Sequence, residues 1–140
     1  MRSFINVRLE QLPVANGKTI LVIDDASLVR LFYRTVLEEA AFRVEEALNG
    51  LEAFEKLMTV SADLLIVDVN MPRMDGMTFL TQLRQKAGPV AEIPALIMST
   101  ESSAAAFAAA RIAGANFYLA KPAERETLLE ITAMLCGLRP

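Results

Sequence analysis

The sequence predicts an α/β fold, a doubly wound five-stranded parallel sheet flanked by five helices, and three observations lead to it. Short apolar segments alternate with segments of helical periodicity along most of the chain. Two predicted strands, 19–23 and 64–67, are apolar at almost every position, so helices must cover both faces of the sheet. Right-handed crossovers then make 2-1-3-4-5 the expected strand order.

The first predicted elements are a strand at 19–23, a helix at 27–40, a weaker and more polar strand at 43–47 and a helix at 51–58. Helical spacing predicts that the first helix turns one apolar face toward the core. That face consists of Leu28, Leu31, Phe32, Val36 and Leu37. In the second helix the residues predicted to face inward are Leu51, Phe54, Leu57 and Met58.

Three further strand–helix pairs follow, with predicted bounds 64–67 and 77–86, 95–98 and 103–113, and 117–120 and 124–136. Leu80 and Leu83 are expected to be buried in the first of these helices. In the last helix, Leu128, Ile131 and Leu135 are in phase. Gly114 is expected to end the alanine-rich helix between them.

Composition excludes several classes of site. The 140-residue chain has no histidine, which excludes a Ser-His-Asp triad and imidazole metal ligands, and its single cysteine, Cys136, excludes a disulfide framework. A net charge of −3 argues against a nucleic-acid partner. Because the sequence has neither a signal peptide nor an apolar run of membrane-spanning length, we expect a cytoplasmic protein without membrane insertion.

The predicted domain covers residues 18–138, and residues 1–17 form an N-terminal extension. In that extension Ile5, Val7 and Leu9 alternate with polar residues, so a strand and disorder are both open interpretations.

Polar residues follow four of the predicted strands. Asp24 and Asp25 follow the first strand, Asp68 the third, Ser99 the fourth and Lys121 the fifth. Because the carboxyl ends of parallel strands share one edge of the sheet, we expect these side chains to converge. Three carboxylates repel one another unless a cation lies between them, and Mg²⁺ prefers oxygen ligands.

Each residue also has a structural explanation when taken alone: Asp25 as a helix cap, Asp68 in an Asx-turn, Ser99 at the start of a loop and Lys121 as a solvated surface residue. Their convergence favours a shared site for phosphoryl chemistry, which needs positioning and charge neutralisation and no histidine. Asp68 leaves the central strand and is the candidate nucleophile for an aspartyl phosphate.

These residues resemble the receiver domain of two-component response regulators, a flavodoxin-like fold, and in particular the single-domain, CheY-like receivers. The resemblance covers about residues 18–137. It is carried by Asp24-Asp25, by Ser99, by Lys121-Pro122 and by the segment Asp68-Val69-Asn70-Met71-Pro72-Arg73-Met74-Asp75-Gly76.

The resemblance implies that Asp68 accepts a phosphoryl group from the phosphohistidine of a sensor histidine kinase. It implies that Asp25, Asp68 and the Asn70 carbonyl bind Mg²⁺ directly, and Asp24 directly or through water. Ser99 would move toward the phosphoryl group and Lys121 would pair with it. The Lys121–Pro122 bond is expected to be cis.

The resemblance also implies a phosphoacceptor that catalyses its own phosphotransfer and autodephosphorylation and is not a turnover enzyme. Asn70 and Glu101 match the chemotaxis type. Tyr118 matches the switch aromatic, and a downstream protein would bind the face formed by the fourth helix, fifth strand and fifth helix. Ala123 departs from the family, which often has phenylalanine there, and Thr100 replaces a smaller residue.

Two alternatives stay open: an interaction module that binds partners regardless of phosphorylation, and the receiver part of a longer regulator. A phosphatase of the haloacid-dehalogenase type is disfavoured, because Asn70 stands where that class has a second aspartate. A flavin-binding protein is disfavoured as well, since the charges of Asp24 and Asp25 would repel a phosphate.

Overall fold

The computed structural model describes residues 17–138, in which five parallel strands form one sheet of order β2-β1-β3-β4-β5. The elements are β1 (Thr19–Ile23), α1 (Ser27–Glu39), β2 (Arg43–Ala47), α2 (Gly50–Leu57), β3 (Leu64–Asp68), α3 (Gly76–Arg84), β4 (Ala95–Ser99), α4 (Ala104–Ala113), β5 (Phe117–Ala120) and α5 (Arg125–Leu135). A short 3₁₀ helix, Pro89–Glu92, precedes β4. Within this part of the chain no helix is long and apolar enough to cross a bilayer.

The predicted fold class, strand order and all ten main elements are confirmed, with bounds that differ by up to two residues. The 3₁₀ helix was not anticipated. Of the predicted extension over residues 1–17, only Gly17 is described, so the alternation at Ile5, Val7 and Leu9 lies outside the described residues.

The sheet separates two apolar cores. Strands β1, β3 and β4 are buried at every position, as their apolar sequences require. Ile20 and Val22 of β1 face one core, which α1 and α5 cover, whereas Leu21 and Ile23 face the other, which α2, α3 and α4 cover. The helices on the two faces therefore bury the central strands along their whole length.

The predicted inner face of α1 is partly wrong. Val36 and Leu37 are buried as expected, but Leu28 is 78% exposed, Leu31 55% and Phe32 40%. Val29 and Tyr33 take their place against the sheet. Apolar residues occupy two overlapping stripes of this helix. The stripe that packs against the sheet contains Val29, Tyr33, Val36 and Leu37.

The predicted inner face of α2 also needs correction. Leu51 and Met58 are exposed, at 45% and 82%, whereas Phe54 and Leu57 pack partly against the core as predicted. The fully buried positions are Gly50 and Ala53. These small residues let the helix backbone approach its neighbours, so the inner face combines small side chains with the apolar Phe54 and Leu57.

The remaining helices pack as their periodicity predicts. Leu80, Leu83 and Leu128 are fully buried, and Ile131 and Leu135 lie half-buried against the same core as Leu128. Gly114 ends α4 with a φ of 109°, a left-handed conformation that favours glycine.

Arg84, at the end of α3, bonds to both the α3–β4 and the α4–β5 connections. Its guanidinium donates to the carbonyl oxygens of Gly114 (3.0 Å), Ala91 (3.0 Å) and Ile93 (2.7 Å) and to Oδ1 of Asn116 (3.2 Å). Burial lowers the pKa of Arg84. These bonds satisfy backbone carbonyls at the amino edge of the sheet, opposite the edge where the polar residues converge.

We expect Thr132→Val to stabilise the protein by about 1 kcal/mol, because Thr132 is fully buried and its Oγ1 finds no hydrogen-bond partner among the described residues. Valine keeps the branched shape and has a similar helix propensity. Urea unfolding measures the change. Thr132→Ser is the matched control, because it keeps the unpaired hydroxyl and loses a methyl group, so it should destabilise. A lower free energy of unfolding for Thr132→Val would contradict the prediction.

Candidate functional site

The sheet brings the predicted polar residues to its carboxyl edge. Register pairs Asp68 with Met98 and Ser99 with Ala120, so Asp68, Ser99 and Lys121 leave adjacent parallel strands at similar heights. Asp24 follows β1, the neighbour of β3 on the other side. The three carboxylates and the Lys121 ammonium come together at this edge, as predicted.

Lys121 bridges two of the acids. Its Nζ donates to Oδ1 of Asp68 at 2.7 Å and to Oδ2 of Asp24 at 3.1 Å. Asp24 is 1% exposed and Asp68 6%, so neither carboxylate is well hydrated. Both therefore need hydrogen-bond partners such as Lys121 in place of water. The Lys121 backbone N–H donates to the Ser99 carbonyl at 2.7 Å, and the Lys121–Pro122 bond is cis, as expected.

Asp24, Asp25 and Asp68 form a cluster in which one carboxylate oxygen of each lies within 4.8 Å of the others. Asp25 is exposed, so the cluster opens to solvent on one side. Carboxylate oxygens with an open, hydrated side suit Mg²⁺, which keeps several waters when it binds to proteins. Asn70 lies exposed in the loop after β3, and its carbonyl remains a predicted ligand.

The pKa values of Asp68 and Lys121 reflect both burial and the charges around them. Burial raises the pKa of Asp68, and Asp24 adds to that effect, so the hydrogen bond from Lys121 does not bring it back to its usual value. Burial lowers the pKa of Lys121, but the hydrogen bonds to Asp68 and Asp24 outweigh burial and the pKa is raised. Both shifts have the direction expected where one ammonium faces several carboxylates.

The pKa of Tyr33, on the adjacent helix α1, also responds to the charges of the acidic cluster. Its pKa is raised first by burial and then by the charges of Asp24 and Asp68. Since Tyr33 is only 3% exposed and the chain has no tryptophan, its phenol is a natural probe of charge in the acidic cluster.

The backbone of the β1–α1 loop is held by Asp24. Its Oδ1 accepts a hydrogen bond from the N–H of Ala26 at 2.9 Å. The first residue before α1 is Ala26, which makes no side-chain cap, so the interpretation of Asp25 as the cap of this helix is wrong. Asp25 is the exposed member of the cluster.

Arg30 contributes a contact that the sequence analysis missed. Its Nη1 donates to the Asp24 carbonyl at 2.7 Å, and its Nε pairs with Glu46 of β2 at 2.8 Å. The available signal was the unusual charge of β2, whose sequence Arg-Val-Glu-Glu-Ala provides acids opposite two arginines one turn apart on α1.

Gly76 fixes the backbone beneath Asp68. A Cβ at this position would lie 2.3 Å from the Asp68 carbonyl oxygen, so only glycine lets α3 begin there without displacing β3. The Gly76 N–H donates to the Val69 carbonyl at 3.0 Å, and Asp75 caps α3 by accepting from the Thr78 N–H. The Asp75-Gly76 pair thus closes the loop that carries Asn70.

Ser99 and Tyr118 meet at the same backbone segment. Ser99 is 2% exposed, and its Oγ accepts from the Glu101 N–H at 3.0 Å. The Tyr118 hydroxyl donates to the Glu101 carbonyl at 2.6 Å, and its ring packs edge-on against Phe107 of α4 at 4.7 Å. Thr100 is exposed between them.

An apolar groove of about 390 Å³ lies beside Lys121, between α1 and the loop after β5. It is lined by Leu28, Val29, Phe32, Tyr33, Lys121, Pro122 and Ala123. The sequence analysis did not predict it, because it placed Leu28 and Phe32 in the core. The small side chain of Ala123 contributes to its width.

Comparison with known proteins agrees with this geometry. Residues 20–133 match the family model of the response regulator receiver domain. The chain is 37% identical over 122 residues to the response regulator MprA of Mycobacterium tuberculosis, and the match covers 86% of this chain and 52% of that relative. The chain thus spans about half the length of the curated relatives it matches.

Solved structures show the same fold at similar identity. The chemotaxis protein CheY4 of Vibrio cholerae has a TM-score of 0.79 and 32% identity over 84% of this chain and 98% of that one. A response regulator from Chloroflexus aurantiacus, described as putative, has a TM-score of 0.80 and 33% identity over 86% and 98%. With its fold, its strand-end acids and the family match over residues 20–133, the chain belongs to the response regulator receiver domains of two-component systems.

Proposed function

We propose that this protein accepts a phosphoryl group on Asp68 from the phosphohistidine of a sensor histidine kinase, in a Mg²⁺-dependent reaction, and then signals by phosphorylation-dependent binding of a downstream protein. The observation that carries the proposal is the bridge of Lys121 to Asp68 within the three-carboxylate cluster. It supplies a nucleophile, a cation for the incoming phosphoryl group and a place for a divalent ion.

The proposed transfer exchanges one bond to phosphorus for another. A carboxylate oxygen of Asp68 forms the O–P bond as the N–P bond to the donor imidazole breaks, and the imidazole nitrogen retains the bonding pair and takes up a proton. Lys121 pairs with a phosphoryl oxygen and the Ser99 hydroxyl donates to another. Since this chain has no histidine, the phosphohistidine must belong to the partner.

Asp24, Asp25, Asp68 and the Asn70 carbonyl are the residues that would hold Mg²⁺. When bound, the ion neutralises charge on the phosphoryl oxygens. The three carboxylates, with oxygens within 4.8 Å of one another and one ammonium beside them, support a cation at this place. The chain then serves as a phosphoacceptor that catalyses its own transfer and autodephosphorylation, not as a turnover enzyme.

The proposed output surface is the face formed by α4, β5 and α5. Large apolar side chains of α4 and β5 are exposed: Phe107, which packs on Tyr118, is 43% exposed, Ile112 85% and Phe117 37%. The Glu101 N–H donates to Ser99 Oγ and the Tyr118 hydroxyl donates to the Glu101 carbonyl, which gives a physical link between the phosphorylation site and this surface. Phosphorylation would favour one of two arrangements of that link, and the partner would bind that arrangement better.

We place this signalling in the cytoplasm and in a chemotaxis-like pathway, since Asn70 and Glu101 match the chemotaxis type and CheY4 of Vibrio cholerae shares 32% identity. The second candidate is the receiver part of a longer regulator, which the 52% coverage of the Mycobacterium relative supports. The mass of the native protein in immunoblots of its source cells separates the two.

We expect Asp68→Asn to abolish labelling by acetyl phosphate in the presence of Mg²⁺, because the amide that replaces the carboxylate is not a nucleophile. Intact-mass spectrometry measures the added phosphoryl group. Asp63→Asn is the matched control, since Asp63 accepts from the Thr19 N–H at the opposite edge of the sheet and should leave labelling unchanged. Labelling of Asp68→Asn at another residue would contradict the assignment of the nucleophile.

Asp25→Asn should weaken Mg²⁺ binding by about tenfold or more while leaving stability nearly unchanged, because it removes an exposed ligand charge. Isothermal titration calorimetry measures the affinity, and chelation with EDTA should abolish labelling of the unaltered protein. The exposed Glu92 lies outside the cluster, so Glu92→Gln is the control and should bind Mg²⁺ normally. Equal affinities for Asp25→Asn and the unaltered protein would remove Asp25 from the metal site.

Ser99→Ala should keep phosphorylation of Asp68 but uncouple it from Tyr118, since the hydroxyl that bonds to Glu101 is gone. The test is the change in the Tyr118 ring resonances when beryllofluoride, a mimic of aspartyl phosphate, is added with Mg²⁺. That change should be present in the unaltered protein and in the exposed-site control Ser102→Ala, and lost in Ser99→Ala. A full response in Ser99→Ala would show that the signal takes another route.

A further inference from the structure

We propose that Arg30 is a positioning residue of the Mg²⁺ site, which it serves by clamping the peptide group between Asp24 and Asp25. The inference rests on the proposed function, because it assigns a role toward the metal that we place at the acidic cluster. It adds a residue that binds neither the ion nor the phosphoryl group.

The clamp is built from two hydrogen bonds on one half-buried guanidinium. Nη1 of Arg30 donates to the Asp24 carbonyl at 2.7 Å, and Nε donates to Oε1 of Glu46 at 2.8 Å. The Arg30 side chain is 13% exposed, so neither bond competes freely with water. Glu46 lies on β2 and is part of the sheet, so the guanidinium links the loop to a rigid element.

The clamped carbonyl belongs to the peptide that joins Asp24 to Asp25. Because a peptide group is planar, fixing its carbonyl restricts the ψ angle of Asp24 and the φ angle of Asp25. The Asp24 N–H is already held by the Ala47 carbonyl at 3.0 Å, and the Ala26 N–H by Asp24 Oδ1 at 2.9 Å. Arg30 holds the Asp24–Asp25 peptide group, which lies between these two bonds, and thereby orients the Asp24 and Asp25 side chains toward Asp68.

Positioning and electrostatics predict opposite effects of removing Arg30. Loss of a cation near a Mg²⁺ site strengthens metal binding if the charge alone matters. Glu46 reduces that charge effect by pairing with the guanidinium; its pKa, which burial would raise, is lowered by its bonds to Arg34 and Arg30. A weaker affinity after the loss of Arg30 is therefore evidence for positioning.

Arg34 provides a matched control one turn along α1. Its Nε pairs with Glu46 at 2.6 Å, and its other nitrogens donate to Glu38 at 2.6 Å and to the Val44 carbonyl at 3.0 Å. It therefore has the same charge and shares an acid with Arg30, but its bonds go to β2 and to its own helix. Replacing it removes an arginine from the network without removing the bond to Asp24.

The experiment compares Mg²⁺ affinity and loop protection in Arg30→Met, Arg34→Met and the unaltered protein. Calorimetry, with tyrosine fluorescence as a second signal, should show about tenfold weaker binding for Arg30→Met, the lower end of what loss of an outer-shell partner costs a metal site. Arg34→Met should stay within about twofold of the unaltered protein. Without metal, hydrogen exchange at the amides of Asp25 and Ala26 should be faster only in Arg30→Met.

Four results would overturn the inference while leaving the proposed function standing: unchanged affinity in Arg30→Met, tighter binding in it, equal weakening in both variants, or unchanged exchange at the loop amides. If Arg30→Met fails to fold, Arg30→Lys replaces it. A lysine keeps the charge but cannot serve the Asp24 carbonyl and Glu46 in the same planar geometry, so it should still bind Mg²⁺ several-fold more weakly. Failure of the unaltered protein to bind Mg²⁺ would instead reject the proposed function.

Discussion

The arrangement of the carboxyl edge depends on an imbalance of charge. Asp24, Asp25 and Asp68 lie together with one ammonium, Lys121, in a pocket where two of the acids are almost fully buried. Burial, with the neighbouring carboxylates, raises the pKa of Asp68, and the hydrogen bonds to Asp68 and Asp24 raise the pKa of Lys121 against the effect of burial. The fold must hold the three carboxylates together against their mutual repulsion, and a bound cation relieves that repulsion.

The structure provides that restraint through backbone contacts more than through side chains. Gly76 lets α3 begin against the Asp68 carbonyl, the Lys121 N–H bonds to Ser99, and Arg30 bonds to the Asp24 carbonyl. Behind them, β1, β3 and β4 carry apolar side chains into two cores, and the polar groups of the site stand at or just after the carboxyl ends of strands. Stability and chemistry are thus divided along β1, β3 and β4, whose interiors build the cores and whose carboxyl ends lead into the site.

Much of the fold and site follows from the sequence, because the signals involved are local. Continuous apolar runs followed by Asp68, Ser99 or Lys121 identify both the buried strands and the edge at which their polar residues meet. The inner face of α1 could not be predicted, since Leu28 and Val29 begin two apolar stripes and only the packing against β2 and α5 selects one. The bond from Arg30 to a backbone carbonyl was also beyond prediction, because it depends on where Glu46 lies in space.

The two edge strands of the sheet differ in their protection against unintended pairing. β2 carries Arg43, Glu45 and Glu46, whose charges discourage another strand from adding to that edge. β5 has the sequence Phe-Tyr-Leu-Ala, contains no charge and leaves Phe117 37% exposed. Its protection is its length of only four residues, so any change that extended β5 would create a favourable template for aggregation.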